Sequence, residues 1–185
     1  MFLQKWRVKL GHAFALAILL CAKPELEWLV AGSVVAAAGE GLRVYASGII
    51  AKDETLSRAG PYAYTRNPLY FGSFLMSLGL CVASGNVWVI AAFPLFFFPV
   101  YYATILREED FLRGKFGDRF DEFRKSVPRF VPRPWPARGA GKADFAWTQV
   151  KHNKEYEGFC AAAVILMILW AMWLGGWNVP RALGM

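Results

Sequence analysis

The sequence predicts an all-α integral membrane protein of about five transmembrane helices, with an amphipathic helix on the cytoplasmic membrane surface. Of its 185 residues, 56% are hydrophobic and only 19% are charged. The hydrophobic residues come in long blocks rather than in alternation, which is typical of chains that cross a membrane as helices. Because a helix needs roughly 20 apolar residues to cross the hydrocarbon core, the length of each block decides whether it is a span.

Three blocks without a formal charge predict the clearest spans: Pro68–Ser84, Val87–Leu106 and Phe159–Trp177. Leu10–Ala22 is shorter, so it spans only if the preceding residues extend it and their cations reach the interface. Leu26–Ile50 is long enough, although it contains Glu27, Glu40 and Arg43. Together the blocks predict five helices, the first two of which form a hairpin.

The basic residues predict the orientation. Of the 21 Lys and Arg residues, twelve lie between Arg107 and Lys154, and three precede the first span. Cytoplasmic loops of membrane proteins are enriched in Lys and Arg, so the N-terminus and both large loops are predicted to be cytoplasmic. The net charge of +7 then indicates contact with anionic lipid headgroups rather than with nucleic acid. The oligomeric state is left open.

Cysteine and histidine predict no metal site. Cys21, Cys81 and Cys160 each lie in or beside an apolar block, where they are expected to act as small hydrophobic residues. His12 and His152 are far apart and have no ligand spacing around them.

The order of segments predicts three regions: an N-terminal helical hairpin over 1–50, a central core over 51–135, and a connector with a C-terminal helix over 136–185. In the core, apolar residues recur at helical spacing after an acidic run, with charged residues between them: Leu112, Phe116, Phe120 and Phe123. This pattern predicts the amphipathic helix on the membrane surface.

Polar groups at the ends of two neighbouring spans predict a pocket at the membrane surface. One set precedes the third span: Tyr62, Tyr64, Arg66, Asn67 and Tyr70. Glu108 and Glu109 close the fourth span. An arginine beside a helix N-terminus favours a ligand carboxylate, glutamates favour an ammonium, and tyrosines pack on a flat ring. The alternative is an aromatic belt at the headgroup level and a solvated helix end.

A second polar feature lies inside the second predicted helix. Glu40 and Arg43 are three residues apart and therefore share a helix face. Ionisable residues inside a membrane span are functional-site candidates by default. The alternative is an interfacial pair that ends the span near the cytoplasm.

Four motifs follow one another along the central part of the chain. They are Gly-Pro-Tyr-x-Tyr-x-Arg-x-Pro-x-Tyr-x-Gly over Gly60–Gly72, Glu108-Glu109-x-x-Leu112, Phe116-Gly117 and Val127-Pro128-Arg129. Their combination resembles the isoprenylcysteine carboxyl methyltransferase and phospholipid methyltransferase family of integral membrane enzymes. The resemblance covers roughly residues 40 to 133, and the combination is specific, whereas each motif alone is weak.

The resemblance implies a membrane methyltransferase that uses S-adenosylmethionine, which enters from the cytoplasm, and a lipophilic substrate, which enters from the bilayer. Segment 51–135 is then the methyltransferase core. The resemblance also implies that Arg66-Asn67-Pro68 and Glu108-Glu109 help to form the cofactor pocket. From their position in the same stretch we add Gly60, Tyr62, Tyr64 and Tyr70 to the cofactor-binding candidates.

One departure from the family pattern bears on the acceptor. The family usually has His between the Arg and the Pro, where this chain has Asn67, which cannot serve as a general base. A carboxylate acceptor is ionised at neutral pH and needs no base, so a carboxylate of the isoprenylcysteine type is favoured over a phospholipid amine. The catalytic candidates are Arg43 or Arg129, to orient a carboxylate, and Glu40, to assist an amine.

The sequence leaves two further functions open. The sterol reductases share the C-terminal part of this motif pattern and use NADPH. Their chains are generally longer, with more transmembrane spans before the pattern. A non-catalytic membrane scaffold would use the same motifs only to shape a surface that binds headgroups.

Overall fold

The computed structural model describes residues 2–50 and 56–176, with side chains from residue 11 onward. These residues form seven helices and no strand: α1 (Phe2–Cys21), α2 (Leu26–Ser47), α3 (Pro68–Ala83), α4 (Val87–Phe116), α5 (Asp118–Ser126), α6 (Trp147–His152) and α7 (Tyr156–Leu174). A short 3₁₀ turn over Gly60–Ala63 precedes α3. The all-helical prediction is confirmed.

Three helices are long and apolar enough to cross a membrane, namely α2, α4 and α7. The apolar stretch Gly11–Cys21 of α1 and the whole of α3 are shorter. A total of five spans therefore stays a prediction. The predicted end of the last span at Trp177 lies outside the described residues.

Helix α4 continues ten residues beyond the predicted end of its span, from Leu106 to Phe116. The residues added, from Arg107 onward, are mostly charged, long side chains that favour helix, so the boundary of the apolar block is not a helix end. Pro94 and Pro99 lie within the same helix, where each removes one backbone donor. The acidic pair Glu108 and Glu109 therefore lies inside a helix rather than in a loop.

The described chain forms two compact units. The first contains the described residues up to Ala37, Leu75–Val100 and the described residues from Gly158 onward. Its core consists of side chains from three helices, α2, α3 and α7, and from the connection after α1: Ala22, Leu29, Ala83, Leu169 and Met172. Small residues predominate where helices α2 and α3 meet, which brings their backbones close together.

Glycines make this close approach possible. A Cβ atom added at Gly32 of α2 would lie 2.6 Å from the Cα atom of Ala83, and one at Gly79 of α3 would lie 2.7 Å from the Cα atom of Ala36. Because real Cβ atoms are not found at such distances, only glycine fits at either position. The run of small residues in α2 thus has the packing role expected of it in a membrane helix.

The second unit comprises Ala38–Phe74 and Tyr101–Glu157 and contains every site residue predicted from the sequence. Its connector after α5 runs beside the loop before α3. The backbone N–H groups of Arg133 and Ala137 donate to the carbonyls of Tyr64 and Ala63, at 3.0 Å and 2.9 Å. These bonds hold two segments together that are far apart in the sequence.

The amphipathic pattern is helical, but the structure divides it between two helices. Leu112 and Phe116 belong to α4, whereas Phe120 and Phe123 belong to α5. Gly117 separates the two helices with a φ of 52°, a conformation that glycine adopts readily. Phe120 and Phe123 are buried in a cluster with Val127 and Ala137 of the connector, and Leu112 and Phe116 pack against it. The apolar face is therefore covered by the protein itself.

Candidate functional site

The carboxylate of Glu109 is the centre of a buried polar group in the second unit. Glu109 is 6% exposed. Its Oε1 atom lies 3.0 Å from Nη2 of Arg66, and its Oε2 atom accepts a hydrogen bond from Nε of Arg129 at 3.0 Å. The side-chain amide of Asn67 also donates to Oε1, at 3.4 Å. We call Arg66, Asn67, Glu109 and Arg129 the Glu109 group.

Local hydrogen bonds bring the members of this group together. Pro68 begins α3, as expected of proline in a first helical turn, so Arg66 and Asn67 lie just before the helix. The backbone N–H of Arg66 donates to the carbonyl of Pro128 at 2.9 Å. The side-chain amide of Asn67 donates to the carbonyl of Arg129, also at 2.9 Å. The motif before α3 and the motif after α5 are therefore joined directly.

Thr65 adds a further bond between the same two segments. Its hydroxyl donates to the carbonyl of Phe130 at 2.9 Å, and the backbone N–H of Asn67 donates to the same hydroxyl at 3.3 Å. Thr65 is fully buried. The loop before α3 is thus held by side-chain as well as backbone bonds, which keeps Arg66 and Asn67 facing Glu109.

The Glu109 group has two guanidinium groups around one carboxylate. Burial lowers the pKa of Arg66, an effect that the nearby Glu109 carboxylate opposes. Burial acts in the same direction on Arg129, but Glu109 and Tyr102 outweigh it, so the pKa of Arg129 is raised. Arginine stays protonated in proteins, so the group has a formal excess of positive charge that suits an anionic ligand.

Aromatic hydroxyl groups lie at the edge of this group. Tyr102 accepts a hydrogen bond from Nη1 of Arg129 at 2.7 Å, and the guanidinium carbon lies 5.5 Å from the centre of the Tyr102 ring. Tyr70 donates to Oε2 of Glu108 at 2.7 Å. Glu108 and Glu109 are neighbours in sequence but have different partners, because adjacent residues of a helix point in different directions.

A second buried group surrounds Arg43 of α2. Nη2 of Arg43 donates to Oε2 of Glu155 at 2.5 Å, and Nε lies 3.4 Å from Oε2 of Glu40. Nη1 donates to the hydroxyl of Ser73 in α3. Two carboxylates therefore surround one guanidinium, and the formal charge is −1. We call Glu40, Arg43, Ser73 and Glu155 the Arg43 group.

The backbone conformation allows the members of the Arg43 group to meet. A Cβ atom at Gly72 of α3 would lie 2.7 Å from Cγ of Arg43, so glycine makes room for the arginine stem. Glu155 follows Lys154, whose φ of 54° is unfavourable for a residue with a side chain. The amide of Asn153 donates to the carbonyl of Ser47 at 2.9 Å, which ties this segment to the end of α2.

Tyr62 is buried and lies within electrostatic range of Glu108 and of Glu155 in the Arg43 group. Its side chain is 5% exposed, and its hydroxyl has no hydrogen-bond partner in the described part of the chain. Burial raises the pKa of Tyr62 well above its usual value, and the charges of Glu108 and Glu155 raise it further. A buried hydroxyl without a partner costs about 1–3 kcal/mol, which makes Tyr62 a candidate for contact with a polar ligand.

The structure brings most of the predicted site residues into these arrangements. Arg66, Asn67, Glu109 and Arg129 share one group, whereas Glu40 and Arg43 belong to the other. Three predicted residues contribute through the backbone. Gly60 begins the 3₁₀ turn with a φ of 54°, Tyr64 accepts a hydrogen bond from the connector, and Pro68 begins α3.

Sequence reasoning missed several members of the site, namely Thr65, Ser73, Tyr102 and Glu155. Glu155 had a usable signal, because it is an acidic residue just ahead of an apolar span, as Glu108 and Glu109 are acidic residues just after one. The hydroxyl of Ser73 donates to the carbonyl of Leu69, one turn earlier in α3, at 2.9 Å. Such a bond is usual for a serine in an apolar helix. The contact of Ser73 with Arg43 had no signal in the sequence.

Replacing Asn67 tests the bonds that it makes. Asn67→Leu removes the donor to Glu109 and to the carbonyl of Arg129, so we expect a loss of about 1–3 kcal/mol in the free energy of unfolding. Asn67→His keeps a ring N–H donor and should lose less. The stability of both variants is measured by thermal unfolding in detergent. Equal melting temperatures for Asn67→Leu and the wild type would show that the amide contributes nothing to stability.

Comparison with known proteins identifies the family. The phospholipid methyltransferase model matches residues 13–119, which is more than half of the chain. The chain belongs to the phospholipid methyltransferase family. The matched region contains both members of the acidic pair and the whole motif before α3. Arg129 and Glu155 lie beyond it, so the family match by itself does not include two of the residues that complete the buried groups.

Similar proteins also support the resemblance that the motifs indicate. The chain is 37% identical over 81 residues to a protein-S-isoprenylcysteine O-methyltransferase of Schizosaccharomyces pombe, covering 44% of this chain and 34% of the relative. A cobalt-zinc-cadmium resistance protein of Cupriavidus metallidurans is 36% identical over 97 residues, covering 52% of this chain and 43% of the relative. The alignments thus span well under half the length of these relatives. No solved structure shows significant similarity to the chain.

The same family relationship bears on the alternatives. It favours a membrane methyltransferase over a reductase or a scaffold. In the part of the chain that the structure describes, no group of three or more His, Cys, Asp or Glu side chains is arranged to hold a metal ion.

Proposed function

We propose that this protein is a membrane methyltransferase that uses S-adenosylmethionine and methylates a lipophilic acceptor. Family membership supports the class of reaction. The observation that carries the proposal is the Glu109 group. Its buried carboxylate contacts Arg66 in the motif before α3 and Arg129 in the motif after α5. Such a centre fixes two arginines beside a helix N-terminus, where an anionic part of a ligand is stabilised.

The residues fit S-adenosylmethionine, which has a carboxylate, an ammonium, a flat adenine and a sulfonium. Nε of Arg66 and the hydroxyl of Tyr62 are buried without hydrogen-bond partners in the described chain, so both are able to bind a polar ligand. We assign the carboxylate to Arg66, the ammonium to Glu108 and the flat ring to Tyr70. The remaining pocket residues of the proposal are Gly60, Tyr62, Tyr64, Asn67, Pro68 and Glu109.

Bound S-adenosylmethionine supplies a methyl group on a sulfonium, which is transferred by in-line displacement. Such a transfer chiefly needs the two reactants held in line in a site from which water is excluded. The Glu109 group serves this purpose because its charged members are ion-paired, Asn67 is hydrogen-bonded to Glu109, and the group is largely buried. Glu109 orients Arg66 toward the cofactor and Arg129 toward the acceptor.

For the acceptor we propose a carboxylate of the isoprenylcysteine type. The Asn67 amide already donates to Glu109 and to the carbonyl of Arg129, which supports a positioning role. A carboxylate needs no base. Arg129 is the better candidate to orient it, because Arg43 is enclosed by two carboxylates whereas Arg129 shares Glu109 with Arg66 and is partly exposed.

An amine acceptor is the second candidate. It is favoured by the Arg43 group, because Glu40 and Glu155 provide one negative charge more than Arg43 neutralises. Glu40 is then the residue to receive a proton from the amine. A phospholipid amine would approach from the headgroup region.

We further propose that the N-terminus and both large loops are cytoplasmic, and that segment 51–135 is the methyltransferase core. Contact with anionic headgroups is supported by exposed tryptophans and by basic residues between α5 and the end of α6. Trp135 and Trp147 are exposed there, and tryptophan is enriched at membrane interfaces. Arg133 and Arg138 lie on the same connector, where cations near a membrane surface gain from anionic lipid.

Binding and transfer assays test the proposal. The purified protein in lipid nanodiscs is expected to bind S-adenosylhomocysteine, and to transfer a labelled methyl group to a farnesylcysteine analogue faster than to phosphatidylethanolamine. Faster transfer to the amine lipid would favour the second candidate. Failure to bind S-adenosylhomocysteine would overturn the proposed function.

Arginine variants test the placement of the cofactor. Arg66→Ala should weaken S-adenosylhomocysteine binding by at least tenfold, because the Arg66 side chain is only 8% exposed and lies at the N-terminus of α3. Arg58→Ala is the matched control. The Arg58 side chain is 39% exposed, and its partners are the Arg119 carbonyl and, at 3.9 Å, Glu122. Similar losses for both variants, measured by isothermal titration, would contradict the placement.

A further inference from the structure

We propose that the Arg43 group, together with Tyr62, binds the positively charged centre of a ligand, a sulfonium or an ammonium. The inference rests on the proposed methyltransferase function: the methyl donor has the sulfonium, and an amine acceptor, the second candidate, has the ammonium. It assigns a binding role to Glu155, which lies outside the region matched by the family.

The first argument is charge. Arg43 is the one cation that contacts Glu40 and Glu155 in the described chain, so the group has a formal charge of −1. All three side chains are largely buried. A buried charge without compensation is costly unless a counter-charge is available. A cationic ligand provides that counter-charge.

The second argument is the state of the Glu40 carboxylate. Glu40 is 8% exposed, and neither of its oxygens accepts a hydrogen bond in the described chain. Its contact with Nε of Arg43, at 3.4 Å, is an ion pair without the geometry of a hydrogen bond. The carboxylate therefore has acceptor capacity that the protein does not use. Arg43 is directed instead to Glu155 and Ser73.

The third argument is Tyr62. Its hydroxyl is buried without a partner in the described chain, and it lies within the field of Glu155 and Glu108. A tyrosine offers both its oxygen and its ring face to an organic cation. Buried carboxylates and a buried tyrosine within the field of one of them form a suitable environment for a sulfonium or an alkylammonium.

The decisive experiment compares two ligands that differ in this charge. Sinefungin has an ammonium where S-adenosylmethionine has its sulfonium, whereas S-adenosylhomocysteine has a neutral thioether there. We expect Glu155→Gln and Glu40→Gln to lower the ratio of sinefungin affinity to S-adenosylhomocysteine affinity by about tenfold, which equals about 1.4 kcal/mol. Dissociation constants are measured by isothermal titration on the full chain in nanodiscs.

Two controls accompany these variants. Glu157→Gln removes an exposed carboxylate two residues from Glu155 and should leave the ratio unchanged. Glu155→Asp keeps the charge and should restore most of the ratio. Because S-adenosylhomocysteine binding is itself one of the two measurements, it reports whether each variant is folded.

The outcomes separate the two sources of the cation. A lower ratio assigns the site to the methyl donor. An unchanged ratio with a raised KM for an amine lipid, and an unchanged KM for S-adenosylmethionine, assigns it to an acceptor ammonium. If both quantities stay at wild-type values while S-adenosylhomocysteine still binds, the inference is wrong although the proposed function stands. If the wild type binds neither ligand, the proposed function fails and the inference with it.

Discussion

Glu109→Gln is expected to abolish S-adenosylhomocysteine binding and to destabilise the folded protein by about 3–5 kcal/mol, the usual cost of breaking a buried ion pair. The substitution keeps the shape of the side chain but removes its charge. The buried Arg66 and the partly exposed Arg129 would then lie close together with no carboxylate between them. Their mutual repulsion would separate the motif before α3 from the motif after α5, where both cofactor and acceptor are proposed to bind.

Glu108→Gln is the control for stability. Glu108 bonds to the hydroxyl of Tyr70 at a more exposed position, so its replacement should change the melting temperature in detergent by only a small amount. Its effect on ligand binding is a separate measurement, because Glu108 is proposed to contact the ammonium. If Glu109→Gln melts at the wild-type temperature, the Glu109 group does not hold the two motifs together.

The second large effect is expected from Gly32→Ala, which should destabilise the first unit by about 3 kcal/mol. The new Cβ atom would lie 2.6 Å from the Cα atom of Ala83. Backbone cannot move aside as a flexible side chain can, so the helices would have to separate. That movement would reduce the close packing on which association of apolar helices depends.

Gly41→Ala, in the same helix, provides the matched control. Beyond the neighbouring backbone of its own helix, no atom of the described chain lies within 4 Å of a Cβ atom placed at Gly41. Alanine is favoured over glycine in a helix by up to about 1 kcal/mol, so this variant should be as stable as the wild type or more stable. Comparison of the two melting temperatures in detergent tests the prediction. Equal losses in both variants would mean that general flexibility, rather than the contact with Ala83, explains the effect.

These two glycines show what composition predicts and what it leaves open. Small residues in an apolar helix allow close approach of another helix, and Gly32 does so. Gly41 lies in the same helix but has no close neighbour from another segment of the described chain. The difference depends on which face of α2 meets α3, and the sequence around Gly32 is apolar, so it does not reveal the orientation of that part of the helix.

The acidic pair and Arg43 show the same limit at the site. From the sequence, Glu108 and Glu109 were equivalent candidates, whereas in the structure only Glu109 is buried between two arginines. Arg43 was paired with Glu40 because three-residue spacing places both on one face. Its closer partner, Glu155, is more than a hundred residues away, and no local pattern connects them.

What the sequence by itself determined is the all-helical membrane class, the apolar blocks and the motifs that place the chain in its family. These properties depend on neighbouring residues, because block length and helical spacing are local. The tertiary structure alone decided which carboxylate meets which arginine, and that the connector rather than lipid covers the phenylalanines of α5. Such pairings depend on the path of the chain between distant segments, and on the need of each buried charge for a partner.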